Sequence, residues 1–200
     1  MIITTQNKYA LIAESTFQMT QLFSTSLTEK IGDKETEKAR HDIIKKLKFG
    51  DWDTDPTSFY HSFKKAKHAM MLTPYTIEDF KQMKTFKLQD YDIGFALKEF
   101  NGEISELVAV HNASSISGIG HELVDSAIIE GAKYLDHFDG FLSTLYEKTG
   151  FIEYKRDPYN PMYDPNGIFA SVYGKSEVIY RRYKTAPIPK EDIQSEELTA

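Results

Sequence analysis

Three observations predict an α+β chain in an α/β/α arrangement: a mixed, mostly antiparallel central sheet covered by helices and preceded by a helical N-terminal extension. The first third of the 200 residues carries helical periodicity, three apolar runs around Asn101-Gly102 read as an antiparallel meander, and beyond Ser114 helix and strand patterns alternate. The boundaries implied are an extension over residues 1–70, a sheet-bearing domain over 71–184 and a flexible tail over 185–200.

From Ser15 onward, Phe17, Leu22, Phe23 and Leu27 fall on one helical stripe, and Gly32 is a stop. A second helix runs from Asp33, a suitable N-cap, to Leu47, with Ile43, Ile44 and Leu47 as its apolar face. Gly50 and the acids Asp51, Asp53 and Asp55 interrupt the pattern. They read as a solvated loop, because no following glycine and distal glutamate complete a calcium loop. Thr57 to Leu72 is helical and basic, and Thr76 to Phe80 opens a short helix after Pro74.

At Thr85 the period changes to that of strands. Thr85–Leu88, Asp92–Lys98 and Ile104–His111 are the three runs, and Asn101-Gly102 between the last two demands the positive φ values of a hairpin turn. A Ser/Gly loop, Ser114 to Gly120, then leads into a helix over His121–Gly131. A strand over Lys133–Phe138, a helix over Phe141–Lys148, a strand over Phe151–Arg156 and a last strand over Glu177–Tyr183 follow. The helix between them makes the Lys133–Phe138 strand parallel to Ile104–Ala109. The stretch from Asp157 to Lys175 is long for a connection and rich in tyrosine, so its aromatics are expected to order it as a wall of a ligand pocket.

Composition narrows the function classes. With 24 Lys+Arg against 30 Asp+Glu the net charge is -6, which does not favour nucleic acid or an anionic membrane as the main partner. The basic groups Lys64-Lys65-Lys67 and Arg181-Arg182-Lys184 read as solvated faces. Cysteine is absent, which removes thiol catalysis, disulfides and thiolate metal sites. No window approaches the ~20 apolar residues of a membrane helix and no secretory signal opens the chain, so the expected location is the cytoplasm, a host cell's or a virion if phage-encoded.

The segment that carries chemistry is the strand, the glycine loop and the helix. The first turn of a helix presents unpaired N–H groups and a positive dipole end, and Gly118 and Gly120 let an anion approach the backbone. A close helix packing would use the same glycines. The order of meander, G-x-G into a helix, parallel strand, and a helix containing Leu145-Tyr146-Glu147-Lys148-Thr149-Gly150-Phe151 resembles the GNAT superfamily of acyl-CoA-dependent N-acetyltransferases over residues 71–184. LYEKTGF is similar to that family's L-Y-x-x-x-G-F signature. The run Leu135-Asp136-His137-Phe138-Asp139-Gly140-Phe141-Leu142 resembles a divergent group of GNAT-like proteins from phages and mobile elements.

The resemblance implies a GNAT-type sheet, with acetyl-CoA bound through backbone amides of Ile116, Ser117, Gly118, Ile119, Gly120 and His121, and Tyr146 as general acid for the leaving thiolate. It implies acetyl transfer to a primary amine on a small molecule or protein. Two features depart from the pattern: Ser115 stands where the family has Gln or Arg, and the link Glu130–Lys133 is short. They motivate an alternative, a non-catalytic GNAT-fold interaction or structural protein of a phage, with the N-terminal helices as a protein-binding surface.

The residues themselves leave the base open. Asp136 and Phe138 share one strand face, and Leu135, His137 and Asp139 the other. His137 and His111 are rival candidates to take the amine proton, each with the plainer reading of a satisfied structural histidine, and Asp136 suits either role. Asp139 reads as an N-cap for the helix that follows. His111, His121 and His137 have no recurring metal-ligand spacing, so no metal is expected.

Overall fold

The computed structural model describes residues 34–66, 73–164 and 167–189. The stripe around Phe17 to Leu27, the Asp33 cap and residues 67–72 of the basic helix lie outside the described residues.

Helix α1 (Lys34–Phe49) begins with Glu35 and Glu37 and ends with Lys46 and Lys48, an order that suits the helix dipole. The strand β1 (Trp52–Asp53) follows, a two-residue element too short to leave a periodic signal. Helix α2 (Pro56–Lys65) starts on Asp55, whose carboxylate accepts from the Ser58 amide, with Pro56 in the first turn, where its missing N–H costs nothing. Helix α3 (Ile77–Lys81) is held by a reciprocal capping box between Thr76 and Asp79. The acids Asp51, Asp53 and Asp55 are thus used locally: Asp51 pairs with Lys46 at 3.0 Å, Asp53 accepts from the Ser58 hydroxyl, and Asp55 is the cap.

Strands β2 (Lys84–Leu88), β3 (Ile93–Phe100) and β4 (Glu103–Asn112) form the expected meander, with Asn101 and Gly102 at φ 53° and 80° in the turn. Helix α4 (Gly120–Ile129), strand β5 (Tyr134–Phe138), helix α5 (Phe141–Lys148) and strand β6 (Phe151–Asp157) come next. Gly150, at φ 91°, closes α5. A 3-10 turn (Pro161–Tyr163) and helix α6 (Ile168–Tyr173) lead to β7 (Val178–Tyr183). Helix α6 falls inside the stretch from Asp157 to Lys175, where the sequence reading places no helix. It exists because Asp164, which is buried, accepts from the amides of Phe169 and Ala170 and from the Tyr159 hydroxyl, a long-range cap invisible to periodicity.

The seven strands make one sheet in the order β1-β2-β3-β4-β5-β7-β6. Every neighbouring pair is antiparallel except β4 with β5. One face carries the main core, in which Ile43 and Leu47 of α1 and Leu123, Val124 and Ala127 of α4 meet Phe95, Leu97, Leu107 and Leu135 of the sheet. On the opposite face Phe59 and Phe63 of α2 and Phe80 of α3 close over Ala96, Val108 and Ala109. The described part of the expected extension is therefore built into both layers of the sheet's core. Phe59, Phe63 and Phe80 are fully buried and meet edge to face at 4.9 and 5.6 Å, so truncating any of them to Ala should cost about 3–5 kcal/mol.

Candidate functional site

The parallel pair at the centre of the sheet is incomplete. Strand β5 meets β4 where the Lys133 amide donates to the Ser105 carbonyl at 2.8 Å, and the register contains the single pair Glu106 with Tyr134. Beyond it β4 is bulged: Gly94 opposes His111 and Ala96 opposes Val108, so two residues, Ala109 and Val110, face the one residue Phe95. Ala109 takes φ 51°, an uncommon conformation for a side-chain-bearing residue. The carboxyl ends of β4 and β5, the customary place for a ligand in an open sheet, are thus not zipped together.

The glycine loop lies just past the β4 end. Asn112 shapes it, donating from Nδ2 to the Ile116 carbonyl at 2.7 Å and accepting the Ser114 amide at 3.0 Å. Ile116 and Ile119 are buried anchors, Gly118 has φ 76°, and Ser117 is exposed. Ile119 precedes α4 with no side-chain cap, so no side chain satisfies the first-turn amides. His121 turns to Asp125 on its own helix at 3.1 Å. Arg40 of α1 reaches over the loop, donating from Nε and Nη2 to the Ser117 carbonyl at 3.3 and 3.1 Å. Sequence reasoning missed it, because Arg40 is 77 residues away and looks like any other surface residue of a charged helix.

The two histidines take opposite faces. His111 is buried in the α2 layer, with the Ser62 hydroxyl 2.8 Å from Nε2 and the Ala109 carbonyl 3.1 Å from Nδ1. The carbonyl only accepts, so Nδ1 carries the proton and Nε2 accepts from Ser62. His137 lies on the α5 side. Its Nδ1 donates to the Phe138 carbonyl at 2.7 Å, and its Nε2 accepts from Nε of Arg181 at 2.9 Å. Burial, with the Arg181 charge adding to it, pushes the His137 pKa down to about 4. Neither histidine keeps a lone pair for an incoming ammonium group in this arrangement. Arg181 is itself only 2% exposed and donates on to Glu147 at 2.9 Å. The reading of Arg181 as part of a solvated basic face is corrected by its burial: the side chain lies inside the sheet, paired with His137 and Glu147. Arg182 alongside it donates to the Ala186 carbonyl at 2.7 Å.

Tyr146 is buried with its ring 5.2 Å from that of His137. Desolvation raises its pKa, reinforced by the negative charge of Asp136, so the hydroxyl stays protonated at neutral pH. Asp136 shares a strand with His137 but points to the other face. Its charge is nevertheless felt at the Tyr146 hydroxyl. Asp139 is not the N-cap residue of α5; Gly140 takes that position with φ 148°. Asp139 instead accepts from the Ser143 hydroxyl at 3.0 Å and pairs with Arg156 at 2.7 Å, which holds its carboxyl below the usual range.

On the face shared by α2 and α3 the structure gathers groups that the motif reading did not select. Lys98 of β3 and Glu106 of β4 are directly opposite in register, with Nζ 3.2 Å from Oε1. Glu106 is also the β4 partner of Tyr134, two residues before Asp136 on the same face. Desolvation raises both the Glu106 and Asp136 carboxyls, with Lys98 opposing it. The Tyr75 hydroxyl, raised by burial, feels the charges of Lys98, Glu106 and Asp136. Beyond Asp136, Phe138 stacks on Phe169 of α6 at 4.0 Å. The available signal in sequence was a glutamate interrupting an apolar strand.

Among the described residues no group of side chains is arranged to hold a metal ion, and no helix is long and apolar enough to cross a membrane. No family model, curated protein or solved structure matches the chain.

Proposed function

We propose that the protein transfers an acetyl group from acetyl-CoA to a primary amine by direct attack, in the manner of GNAT-type N-acetyltransferases. The observation that carries this reading is the β4–β5 ladder that stops after one pair, with Tyr146 on one face of the sheet and Asp136 on the other. The sheet order, the G-x-G entry into α4 and the α5 helix that carries Tyr146 support it.

In this reading the anionic end of acetyl-CoA lies at the uncapped first turn of α4, near Gly118 to His121, where Arg40 supplies the side-chain cation missing at Ser115. Asp136 takes a proton from the acceptor ammonium, since the lone pairs of His111 and His137 are occupied. The neutral amine nitrogen then attacks the thioester carbon; the C–N bond forms, the C–S bond breaks, the sulfur leaves with the proton of the Tyr146 hydroxyl, the amide nitrogen sheds its second proton to restore the phenol, and Asp136 releases its proton to solvent. Without cysteine there is no cysteinyl acyl-enzyme to pass through. Isothermal titration with acetyl-CoA tests the reading: binding in the micromolar range that weakens in Arg40→Ala supports it, and no binding at high micromolar concentration overturns it.

One observation favours the second reading, a non-catalytic interaction protein. A Cβ at Gly118 would collide with Nη2 of Arg40, so this glycine accommodates α1 and not necessarily a phosphate. On that reading Tyr146→Phe leaves partner binding intact.

A further inference from the structure

The chain has five asparagines, Asn7, Asn101, Asn112, Asn160 and Asn166, and two of them, Asn101 and Asn166, precede glycine. An asparagine side chain is open to attack by the backbone nitrogen of the next residue, which is one source of its thermal lability. The nucleophile is the deprotonated amide, so an N–H held in a hydrogen bond is protected from this reaction as it is from exchange with water.

The fold separates these positions. After Asn112 the Ala113 amide donates to the Asp92 carbonyl at 2.7 Å. After Asn160 comes Pro161, which has no N–H to lose. Asn166, like Asn7, lies outside the described residues, but the Gly167 amide that follows it donates to the Asp164 carbonyl at 2.8 Å. Asn101 differs from all of these. The ladder at the end of the hairpin is closed by Phe100 and Glu103, and among the described residues the Gly102 amide makes no backbone hydrogen bond. Asn101 and Gly102 are both exposed, and nothing lies within 4 Å of where a Cβ on Gly102 would stand, so no side chain shields the nitrogen.

We infer that Asn101 is a site of spontaneous deamidation in the native protein, the first of its asparagines to convert, giving aspartate and isoaspartate in the β3–β4 turn. The Gly102 nitrogen gives its proton to a solvent base and attacks Cγ of Asn101. The N–Cγ bond forms, the Cγ–Nδ2 bond breaks, and Nδ2 leaves as ammonia with a proton from water. Water then opens the five-membered imide and restores the amide N–H: attack at Cγ gives aspartate, and attack at the Asn101 backbone carbon gives isoaspartate. One water is consumed in net and one ammonia released. Isoaspartate routes the main chain through the side-chain methylene, in a turn whose two-residue length fixes the register of Phe100 with Glu103. Either product also sets a new carboxylate near Glu99 and Glu103. No acetyl-CoA or acceptor takes part, so the outcome does not hang on the transferase reading.

The experiment is incubation of the full chain at 37 °C, at pH 7.4 and 8.5, in native buffer and in guanidinium chloride, followed by peptide mass mapping and isoaspartate-specific carboxyl methylation. In native buffer the Asn101 peptide should exchange amide for acid at least tenfold faster than the Asn112 and Asn166 peptides, faster at the higher pH, with isoaspartate and aspartate both present. In guanidinium chloride Asn101 and Asn166 should convert at similar rates, since both precede glycine. Equal native rates at Asn101 and Asn166, no native conversion at Asn101 while the denatured chain converts, or aspartate as the sole product overturns the site. A tenfold preference for Asn101 that persists in guanidinium chloride overturns its selection by the fold. Converted chain, separated by its added negative charge on anion exchange, should melt below the unconverted chain; equal melting overturns the effect on the hairpin.

Discussion

Arg181 donates from Nε to Nε2 of His137 at 2.9 Å, an arginine and a histidine in contact inside the sheet. The bond requires a neutral ring, because a protonated Nε2 would set two cations against each other where little water can reach.

Stability should therefore depend on pH through His137. Its folded pKa is depressed to about 4 from an unfolded value of 6.5, so between these values the unfolded chain binds more protons than the native one. Stability is full above about pH 6.5 and falls as the pH drops to 4, by no more than about 3 kcal/mol. Asp136 and Glu106 have raised folded pKa values and act in the opposite sense, favouring the native state as they take up protons. Denaturant midpoints from pH 8 to 4 for the unaltered chain and His137→Gln should differ most in slope between pH 6.5 and 4; parallel curves would remove His137 as the cause.

Removing Arg181 should be far more damaging than removing its carboxylate. Arg181→Ala loses the contacts to His137 and Phe151 and leaves a cavity, for about 3–5 kcal/mol. Glu147 is 61% exposed at its side chain, so Glu147→Gln should cost at most about 1 kcal/mol. Urea unfolding of the two variants checks the ratio.

Two glycines should fail for different reasons. At Gly94 a Cβ would run into the backbone carbonyl of Phe86 on the neighbouring strand, which cannot move without parting β2 from β3, so Gly94→Ala should cost about 1–3 kcal/mol at an ordinary φ. At Gly118 the obstacle is the far end of the Arg40 side chain, which can swing away, and the φ of 76°, which cannot be escaped. Gly118→Ala should cost about 1–2 kcal/mol, and adding Arg40→Ala should not recover it. Thermal melts of the single and double variants decide between strain and collision.

If acetyl transfer occurs, Tyr146→Phe should lower kcat by about a hundredfold or more while leaving acetyl-CoA affinity unchanged. Because burial raises the Tyr146 pKa, the unaltered enzyme should show no loss of rate from this group up to about pH 10. A rate unchanged in Tyr146→Phe would assign the phenol to the core, against Phe151 and His137.

Local chemistry made most of the described elements legible. The Asn101-Gly102 turn, the Thr76 cap and the Gly150 stop are chosen by residues within four positions of one another, and so are the helical stripes of α1 and α4. The parallel placement of β5 was legible too, because a single helix joins it to β4. Helix α6 and the edge strand β1 were not: the first depends on the buried Asp164 reaching Phe169 and Ala170, the second on the pairing of Trp52 with Leu88. Arg181 was misjudged in the same way, since its burial is set by where β7 lies between β5 and β6.

By itself the sequence determined an acidic, cysteine-free α+β chain with a glycine-bearing loop between a strand and a helix, because periodicity, turns and composition are properties of neighbours in the chain. Only the tertiary structure decided which polar groups are spent and which are available. His111 finds Ser62 across 49 residues, His137 finds Arg181 across 44, and Arg40 reaches Ser117 across 77. Asp136 and Glu106 acquire their shared environment only when β4 and β5 are laid side by side. The physical reason is that burial and hydrogen-bond partnership are set by contacts distant in sequence, and these two quantities decide whether a titratable side chain stabilises the fold or faces a ligand.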